Sequence, residues 1–449
     1  MESIFLVAER LNSFLWGPPM LILLLGTGVW FTIQLRFVQI RKIRLVFKKT
    51  FGDVFKKSMK ADEDGMSSFQ ALATAIAAQV GTGNIAGVGT AIAAGGPGAI
   101  FWMWLSGFFG AGTIFAEAIL GQTYTERVNG QKVGGPAYYI RKGLGSKFLA
   151  AFFALAIIMA LGFIGNMVQS NSISESMNAA FNIPHVAVGI VTAIIVAGII
   201  LGGISRIASF TEKVVPFMAL LYILGCLYII FNNLSEVVPA FRMIIYGAFN
   251  PMAATGGVVG ATVKETMRYG IARGLFSNEA GMGSTPHSHA VAKVKHPAQQ
   301  GFVAIMGVII DTMVVCTFTA LIIIITGSYN TGLVGAQLTQ HSFATGLTGF
   351  GEYFVAVSLF FFALSTIIAW YYFGESNIKY LFGTKGIPFY QGVVLLCVIG
   401  GTLIGVEEVW ELADLFNGLM IIPNLIALLG LTAVVIKSLQ SYEASDLDM

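Results

Sequence analysis

The sequence carries very little charge. Asp, Glu, Lys and Arg make up 11% of its 449 residues, whereas hydrophobic residues make up 56%. Soluble domains carry about 25% charged residues, so this composition excludes an ordinary water-soluble protein. Apolar runs of about 18 or more residues are long enough to cross a bilayer core, and in lipid they must be helical. The chain is therefore predicted to be an all-α membrane protein that contacts the lipid bilayer along its length.

Cysteine is also scarce, and Cys226, Cys316 and Cys397 each lie within an apolar run. They do not form a disulfide framework and are predicted to be small buried residues. The N-terminus lacks a basic stretch and a small-residue cleavage site, so the first helix is expected to remain in the protein. The sequence shows no catalytic cluster, phosphate loop, metal-ligand spacing or basic nucleic-acid groove. An enzyme, a nucleic-acid partner and an organic cofactor are therefore not expected.

Hydropathy predicts eleven transmembrane helices, namely one extra helix followed by core helices one to ten. Their predicted spans are 17–36, 68–94, 97–125, 147–181, 185–203, 208–232, 256–286, 297–327, 348–378, 386–405 and 410–437. The predicted units are the extra helix with a basic loop (1–60), a first repeat (61–239), a second repeat (240–440) and a tail (441–449).

Lys and Arg concentrate in alternate loops, beginning with the basic segment 41–60. The positive-inside rule then places the N-terminus outside the cell and the C-terminus in the cytoplasm. Arg242, Lys264 and Arg268 depart from this pattern, since they cluster on the outer side before core helix six. Their linker is predicted to be an amphipathic segment on the membrane surface.

A short motif occurs twice along the chain. Core helix one contains Asn84 to Thr90 (Asn-Ile-Ala-Gly-Val-Gly-Thr), and core helix six contains Asn278 to Ser284 (Asn-Glu-Ala-Gly-Met-Gly-Ser). Helices five apart cross the membrane in opposite senses, which indicates an inverted repeat. Glycine favours a break in each helix, and the freed N–H and C=O groups can bind anionic groups and cations near the midplane. Helix packing through small residues is the alternative role for these glycines.

These segments resemble a known family of transporters. Ala78 to Val88 (Ala-Gln-Val-Gly-Thr-Gly-Asn-Ile-Ala-Gly-Val), Gly274 to Gly283 and Gly95 to Trp104 are similar to motifs of the alanine or glycine:cation symporter family. The resemblance extends from about Gln70 to Ile436. It implies membership of the amino acid–polyamine–organocation superfamily, with the five-plus-five inverted fold of the bacterial leucine transporter. It also implies Na⁺ or proton coupling in the cell membrane, and alanine or glycine as the substrate.

The resemblance further implies which residues form the binding site. Gly81, Thr82, Gly83 and Asn84 match the unwound part of helix one, whose N–H groups meet the substrate carboxylate. The expected substrate-binding residues are Gln79, Thr82, Gly83, Asn84, Phe163, Asn166, Phe276, Ser277, Asn278, Gly281 and Trp370. The expected sodium ligands are the carbonyl groups of Ala77 and Val80 and the hydroxyl groups of Ser365 and Thr366.

Several assignments stay open at this stage. Gly87 stands where the leucine transporters place an outer-gate arginine, so Arg273 and Glu279 become the candidates for that gate. Glu117, Glu279 and Asp311 are ionisable residues within apolar runs, which marks them as functional candidates. Glu279 has the strongest claim because it adjoins the helix-six motif, whereas Glu117 and Asp311 fit structural roles equally well.

Two alternative functions accompany sodium symport. The first is a proton-coupled transporter of the same fold. The second is a channel, which agrees less well with the sequence because broken helices in an inverted repeat favour alternating access. The sequence leaves stereoselectivity, stoichiometry and oligomeric state undetermined.

Overall fold

The computed structural model describes residues 11–12, 15–52, 62, 65–250 and 261–445, and this part of the chain is almost entirely helical. Its α-helices are α1 (Pro18–Gln34), α2 (Val38–Arg41), α3 (Ile43–Phe51), α4 (Ser68–Gln79), α5 (Val88–Gly95), α6 (Ala99–Thr123), α7 (Pro136–Gly143), α8 (Lys147–Ile157), α9 (Asn166–Phe181), α10 (His185–Ile200), α11 (Gly203–Asn232), α12 (Leu234–Gly247), α13 (Val263–Asn278), α14 (Pro286–Ala290), α15 (Pro297–Val308), α16 (Thr317–Ile325), α17 (Gly335–Gly346), α18 (Gly351–Phe382), α19 (Ile387–Gly401), α20 (Val406–Gly430) and α21 (Thr432–Glu443). One hairpin within the described residues pairs β1 (Glu126–Val128) antiparallel with β2 (Gln131–Val133).

Six helical stretches among the described residues are long and apolar enough to cross a membrane, and a bent pair of helices makes a possible seventh. The six stretches are Ala99–Thr123, Lys147–Phe181, Gly203–Asn232, Pro297–Ile325, Gly351–Gly401 and Val409–Gly430. The prediction of a helical, multi-pass membrane protein is confirmed. Eleven spans were predicted, but fewer helical stretches among the described residues are long and apolar enough to cross a membrane. One reason is that α1 and α10 are shorter apolar helices.

The longest stretch, Gly351–Gly401, folds back on itself. Gly383 begins the 3₁₀ turn between α18 and α19 and has a φ of 67°. The hydroxyl of Tyr390 donates to the carbonyl of Tyr371 at 3.1 Å, and the two rings stack with centroids 5.3 Å apart. Residues so far apart along one straight helix could not touch. The stretch therefore consists of two antiparallel helices, at the places where the sequence predicts spans 348–378 and 386–405.

The predicted helix 68–94 is interrupted. Its first half, α4, begins with a capping box formed by Ser67 and Gln70 and ends at Gln79. A π-helical turn, Gly83–Gly87, then leads into α5, and the two halves meet at an angle of 49°. The interruption lies in the Gly-Thr-Gly segment, where glycine was expected to favour a break.

The predicted helix 256–286 is also interrupted, within the second copy of the motif, where glycine was expected to favour a break. The first five residues of that span lie outside the described part of the chain. α13 ends at Asn278 because Glu279 adopts left-handed backbone, with a φ of 58°. Gly281 and Gly283 follow with φ values of 87° and 82°, which glycine adopts without strain. The backbone between α13 and α14 is therefore irregular.

A buried carboxylate holds this irregular segment. Glu117 Oε2 accepts from the N–H of Gly281 at 3.2 Å, and its Oε1 accepts from the N–H of Gly283 at 2.9 Å. Asn424 Nδ2 donates both to Glu117 Oε1 at 2.7 Å and to the carbonyl of Gly281 at 2.9 Å, while the hydroxyl of Tyr139 donates to Asn424 Oδ1. Unwound backbone at membrane depth needs partners within the protein. Glu117 is the partner of two N–H groups of this segment, so its role is structural.

The linker that carries Arg242 forms α12. Ala240, Ile244 and Gly247 bury one side of this helix, whereas Phe241 and Arg242 are exposed. The helix is thus amphipathic, and its placement on the membrane surface stays a prediction.

We expect Glu117→Gln to destabilise the protein. The new amide nitrogen would face a backbone N–H, so one buried donor would lose its acceptor, at a cost of about 1–3 kcal/mol. The melting temperature of the purified protein should therefore fall. Glu352→Gln is the matched control, because Glu352 is exposed at the start of α18. A Glu117→Gln protein that melts with the wild type would contradict the structural role.

Candidate functional site

The interruption in helix one lies against the end of α13. Gln79, the last residue of α4, donates from Nε2 to the carbonyl of Asn278 at 2.7 Å. A Cβ added to Gly83 would lie 3.2 Å from the Cα of Ser277, a tighter contact than side chains ordinarily make. Glycine therefore permits this approach. The break in helix one and the end of α13 therefore meet at one place in the interior.

Asp311 contacts the first residue of the first copy and the residue that precedes the second copy. It lies in the π-helical segment Ile309–Cys316 between α15 and α16. Its Oδ1 accepts from Asn84 Nδ2 at 2.6 Å and from Ser277 Oγ at 2.9 Å, and its Oδ2 accepts from Thr312 Oγ1 at 2.7 Å. π-helical turns are rare and occur frequently at functional sites. These contacts place Asp311 at the centre of the candidate site, a position that the sequence did not assign to it.

Gln169 on α9 also reaches the interruption, although it is not among the expected site residues. Its Nε2 donates to Thr82 Oγ1 at 3.1 Å. Its Oε1 is buried and accepts no hydrogen bond, and the same holds for Gln79 Oε1. Buried polar atoms are normally paired. Two unpaired carbonyl oxygens beside the break therefore suit a ligand that donates hydrogen bonds. A glutamine within an apolar run is the sequence signal that could have identified Gln169.

The expected sodium ligands are brought together in part. Thr366 Oγ1 on α18 donates to the carbonyl of Ala77 at 2.9 Å. The hydroxyl of Ser365 donates instead to a carbonyl one turn earlier in its own helix, at 2.9 Å. Val80 follows α4 in extended backbone, with φ −83° and ψ 90°, so its carbonyl lies outside the helical ladder. One hydroxyl and one carbonyl oxygen thus meet across two helices, and freed carbonyls of interrupted helices commonly coordinate Na⁺.

Trp370 lies beside the irregular segment that follows α13. Its Nε1 donates to Glu279 Oε1 at 2.7 Å, and Glu279 Oε2 accepts from Ser284 Oγ at 2.5 Å. Both carboxylate oxygens of Glu279 are therefore engaged. The contact fixes the indole ring against the end of helix six.

Phe276 and Arg273 flank a second aromatic ring. The ring of Phe276 packs against that of Trp410 with centroids 5.6 Å apart, and the guanidinium of Arg273 lies 6.0 Å from the centroid of the same indole. Arg273 Nε is buried without a hydrogen-bond partner. Of the two candidates for the outer gate, Arg273 lies over Trp410 and Glu279 binds Trp370. The gate itself stays a prediction.

Three expected residues make other contacts. Phe163 packs against Tyr390 with ring centroids 5.6 Å apart. Asn166 Nδ2 donates to a carbonyl of its own helix at 2.9 Å. The N–H of Gly281 is bound by Glu117. Direct contact of these three residues with a substrate stays a prediction.

The arrangement offers three kinds of binding groups in the protein interior. Thr82, Asn84, Asp311 and Thr366 have no exposed surface, and Gln79 is 2% exposed. The break supplies the N–H groups at the start of a half-helix, which favour an anionic group. The amide oxygens suit an ammonium group, and the hydroxyl and carbonyl oxygens suit a cation. These groups are chemically suited to a zwitterion and to a metal ion of low charge.

Comparisons with known proteins agree with this chemistry. The model of the sodium:alanine symporter family matches residues 1–448. The sodium/alanine symporter of Methanococcus maripaludis is 44% identical, over 98% of each chain. The probable sodium/glutamine symporter of Bacillus subtilis is 40% identical, over 96% of this chain and 89% of the relative. An uncharacterized transporter of Haemophilus influenzae is 45% identical, over 97% of this chain and 95% of the relative.

A solved structure shares the fold. The manganese transporter of Eremococcus coleocola superposes with a TM-score of 0.53 at 13% sequence identity, over 78% of this chain and 74% of that one. At this identity the likeness shows the fold alone. The family match covers nearly the whole chain, and it identifies the protein as a multi-pass membrane transporter and not an enzyme. The chain belongs to the sodium:alanine symporter family, and its function is the sodium-coupled symport of a small amino acid.

Proposed function

We propose that this protein carries alanine or glycine into the cell together with Na⁺ by alternating access. The observation that carries this proposal is the meeting of two interrupted helices around buried polar groups that have no partner. The relatives are named as sodium/alanine and sodium/glutamine symporters. Family membership therefore limits the substrate to small amino acids. The residues of the site would determine how large the side chain of the substrate can be.

The proposed architecture is a core of ten helices in two inverted repeats, 61–239 and 240–440, preceded by one extra helix. The first break lies just before the first copy of the motif, and α13 ends at the first residue of the second copy, which supports this arrangement. The basic loops place the N-terminus outside and the C-terminus in the cytoplasm of the cell membrane. Alternating access would then move one group of helices against the other around the site.

The amino acid is proposed to bind across the helix-one break. Its carboxylate would accept from the N–H groups of Thr82, Gly83 and Asn84, since the second half-helix begins there and its first N–H groups lack helical partners. Its ammonium group would donate to the unpaired Oε1 atoms of Gln79 and Gln169. Both ends of the zwitterion would then be satisfied by buried groups.

The Na⁺ ion is proposed to bind between α4 and α18. Thr366 Oγ1 and the carbonyl of Ala77 already lie 2.9 Å apart, and Val80 and Ser365 are their immediate neighbours. A slight separation of the two helices would let an ion replace the hydrogen bond. All of these ligands are neutral oxygens, which suits a hard cation of single charge.

We expect Thr366→Val to raise the Na⁺ concentration needed for half-maximal alanine uptake by about tenfold, since one lost ligand is worth about 1.4 kcal/mol. Valine keeps the shape of threonine and removes only the hydroxyl. Uptake is measured in proteoliposomes with a Na⁺ gradient at equal pH on both sides. Thr345→Val is the control, because Thr345 is exposed on α17. An unchanged Na⁺ requirement would refute the site, and uptake that follows a pH gradient without Na⁺ would favour proton coupling.

Gly81 allows a second test of the same ion site. A Cβ at Gly81 would lie 2.5 Å from Thr366 Oγ1, so Gly81→Ala must displace that hydroxyl and should raise the Na⁺ requirement. Gly87→Ala is the matched control, because a Cβ there meets nothing within 4 Å. The Na⁺ dependence of uptake is compared for the two variants. If both variants need the same Na⁺ concentration for uptake, the space beside Thr366 does not affect ion binding.

Substrate size provides a third test. Trp370 is fixed by Glu279, and Phe276 is fixed by Trp410, so these rings limit the space beside the breaks. We expect glycine to compete with radiolabelled alanine for uptake, whereas leucine and phenylalanine do not. Strong inhibition by leucine would show that the pocket is larger than this geometry suggests.

A further inference from the structure

A short amphipathic helix follows the extra helix. α1 ends at Gln34, and Arg36 and Phe37 then adopt left-handed backbone, each with a φ of 54°. The chain therefore leaves the direction of the apolar helix and continues as α2 and α3. α3 buries Leu45 and Val46 and packs against α15. One side of α3 thus belongs to the packed interior of the protein.

The other side of α3 is exposed, and it combines two kinds of side chains. Arg44, Phe47, Lys48 and Phe51 are all exposed and follow one another at spacings that place them on one helical face. The rings of Phe47 and Phe51 lie beside each other, with centroids 6.2 Å apart, and these residues are 49% and 44% exposed. Exposed Phe side chains together with Arg and Lys are typical of helices that lie at a membrane surface.

A groove opens beside this face, and its volume is about 510 Å³. Four of the residues that line it are basic, namely Arg41, Lys42, Arg44 and Lys48, and the others are aliphatic. Glu443 on α21 pairs with Arg41 at 2.5 Å and lies 3.7 Å from Lys42. Arg44 forms no ion pair with an acidic side chain of the part of the chain that the structure describes.

The charge and the apolar surface together indicate what would occupy the groove. The sequence from 36 to 51 holds six Lys and Arg residues and no Asp or Glu, so the groove favours an anion. Guanidinium and ammonium groups bind phosphate oxygens, and basic segments beside a membrane helix attract anionic lipid headgroups. A free anion would leave the rings of Phe47 and Phe51 uncovered. A lipid, in contrast, offers acyl chains for these rings next to a phosphate for the basic side chains.

We propose that this groove binds the headgroup of an acidic phospholipid, with Arg44 and Lys48 on its phosphate and with Phe47 and Phe51 against its acyl chains. The groove shares no residue with the candidate transport site, so the inference goes beyond the proposed function. The proposed orientation of the chain places the groove at the cytoplasmic leaflet, whose surface is negatively charged. A bound lipid would stabilise the folded protein, since any ligand that binds only the native state does so.

The test compares phosphatidylglycerol with phosphatidylcholine of the same acyl chains, because only the first carries a net negative charge. Each lipid is titrated into the purified full-length protein in detergent, and native mass spectrometry counts the bound lipid molecules. We expect the wild type to bind phosphatidylglycerol more tightly than phosphatidylcholine. The melting temperature should rise with phosphatidylglycerol at concentrations where phosphatidylcholine leaves it unchanged.

A double variant locates the site. Arg44→Gln with Lys48→Gln should weaken phosphatidylglycerol binding about 25-fold, since each basic side chain near an anionic surface contributes about fivefold. Phosphatidylcholine binding should not change. Lys147→Gln with Lys385→Gln is the matched control, because it removes the same charge from two exposed residues outside the groove. The control should bind phosphatidylglycerol as the wild type does.

Four results would overturn the proposal. Equal affinity of the wild type for both lipids does so without any variant, so the test decides the question even if a variant fails to fold, which its melting curve reports. An unchanged affinity of the groove variant for phosphatidylglycerol would place the lipid elsewhere. An equal loss in the control would show that only the total charge attracts the lipid. Displacement of phosphatidylglycerol by the same concentration of inorganic phosphate would show that the groove holds a free anion.

Discussion

Inside a membrane, every backbone N–H and C=O group must find its partner within the protein. Two interrupted helices leave several of these groups without helical partners. Side chains from neighbouring elements bind them instead. Glu117 binds two N–H groups after α13, Asn84 binds the N–H of Gly81, and Gln79 binds the carbonyl of Asn278. The site exists because these few buried polar side chains hold the unwound backbone open without exposing it to lipid.

The same constraint explains what the sequence could reveal. The fold class follows from low charge and long apolar runs, and a break in helix one follows from the glycines of its motif, although the resemblance was needed to place it at Gly81 to Asn84. These signals are local. The contact of Thr366 with Ala77 came from family resemblance rather than from spacing, since no local pattern relates residues so far apart in the chain. The irregular backbone after Asn278 lies within the second copy of the motif, where a break was expected, although the left-handed conformation of Glu279 has no clear signature in a charged side chain.

Gln169 and Asp311 show a second reason for what was missed. Both follow or lie within π-helical segments, Ile158–Gly165 and Ile309–Cys316. A π-helical turn bonds residue i to i+5. Residues that follow it therefore lie on a different face of the helix from the one that α-helical spacings of three and four residues predict. The resemblance implied that Phe163 and Asn166 contact the substrate, whereas the structure turns Gln169 towards Thr82. Such turns cannot be located from hydropathy.

The hydrogen bond between Thr366 and Ala77 also bears on how an empty carrier resets. A coupled carrier must return across the membrane without cargo, and it must not bring a lone ion back with it. Thr366 donates to Ala77 at 2.9 Å, so at the proposed ion site a hydrogen bond and Na⁺ would use the same two oxygen atoms. If the ion binds there as proposed, this bond would form again when the ion leaves. The return step would then pass through a neutral state that the ion-loaded form cannot adopt.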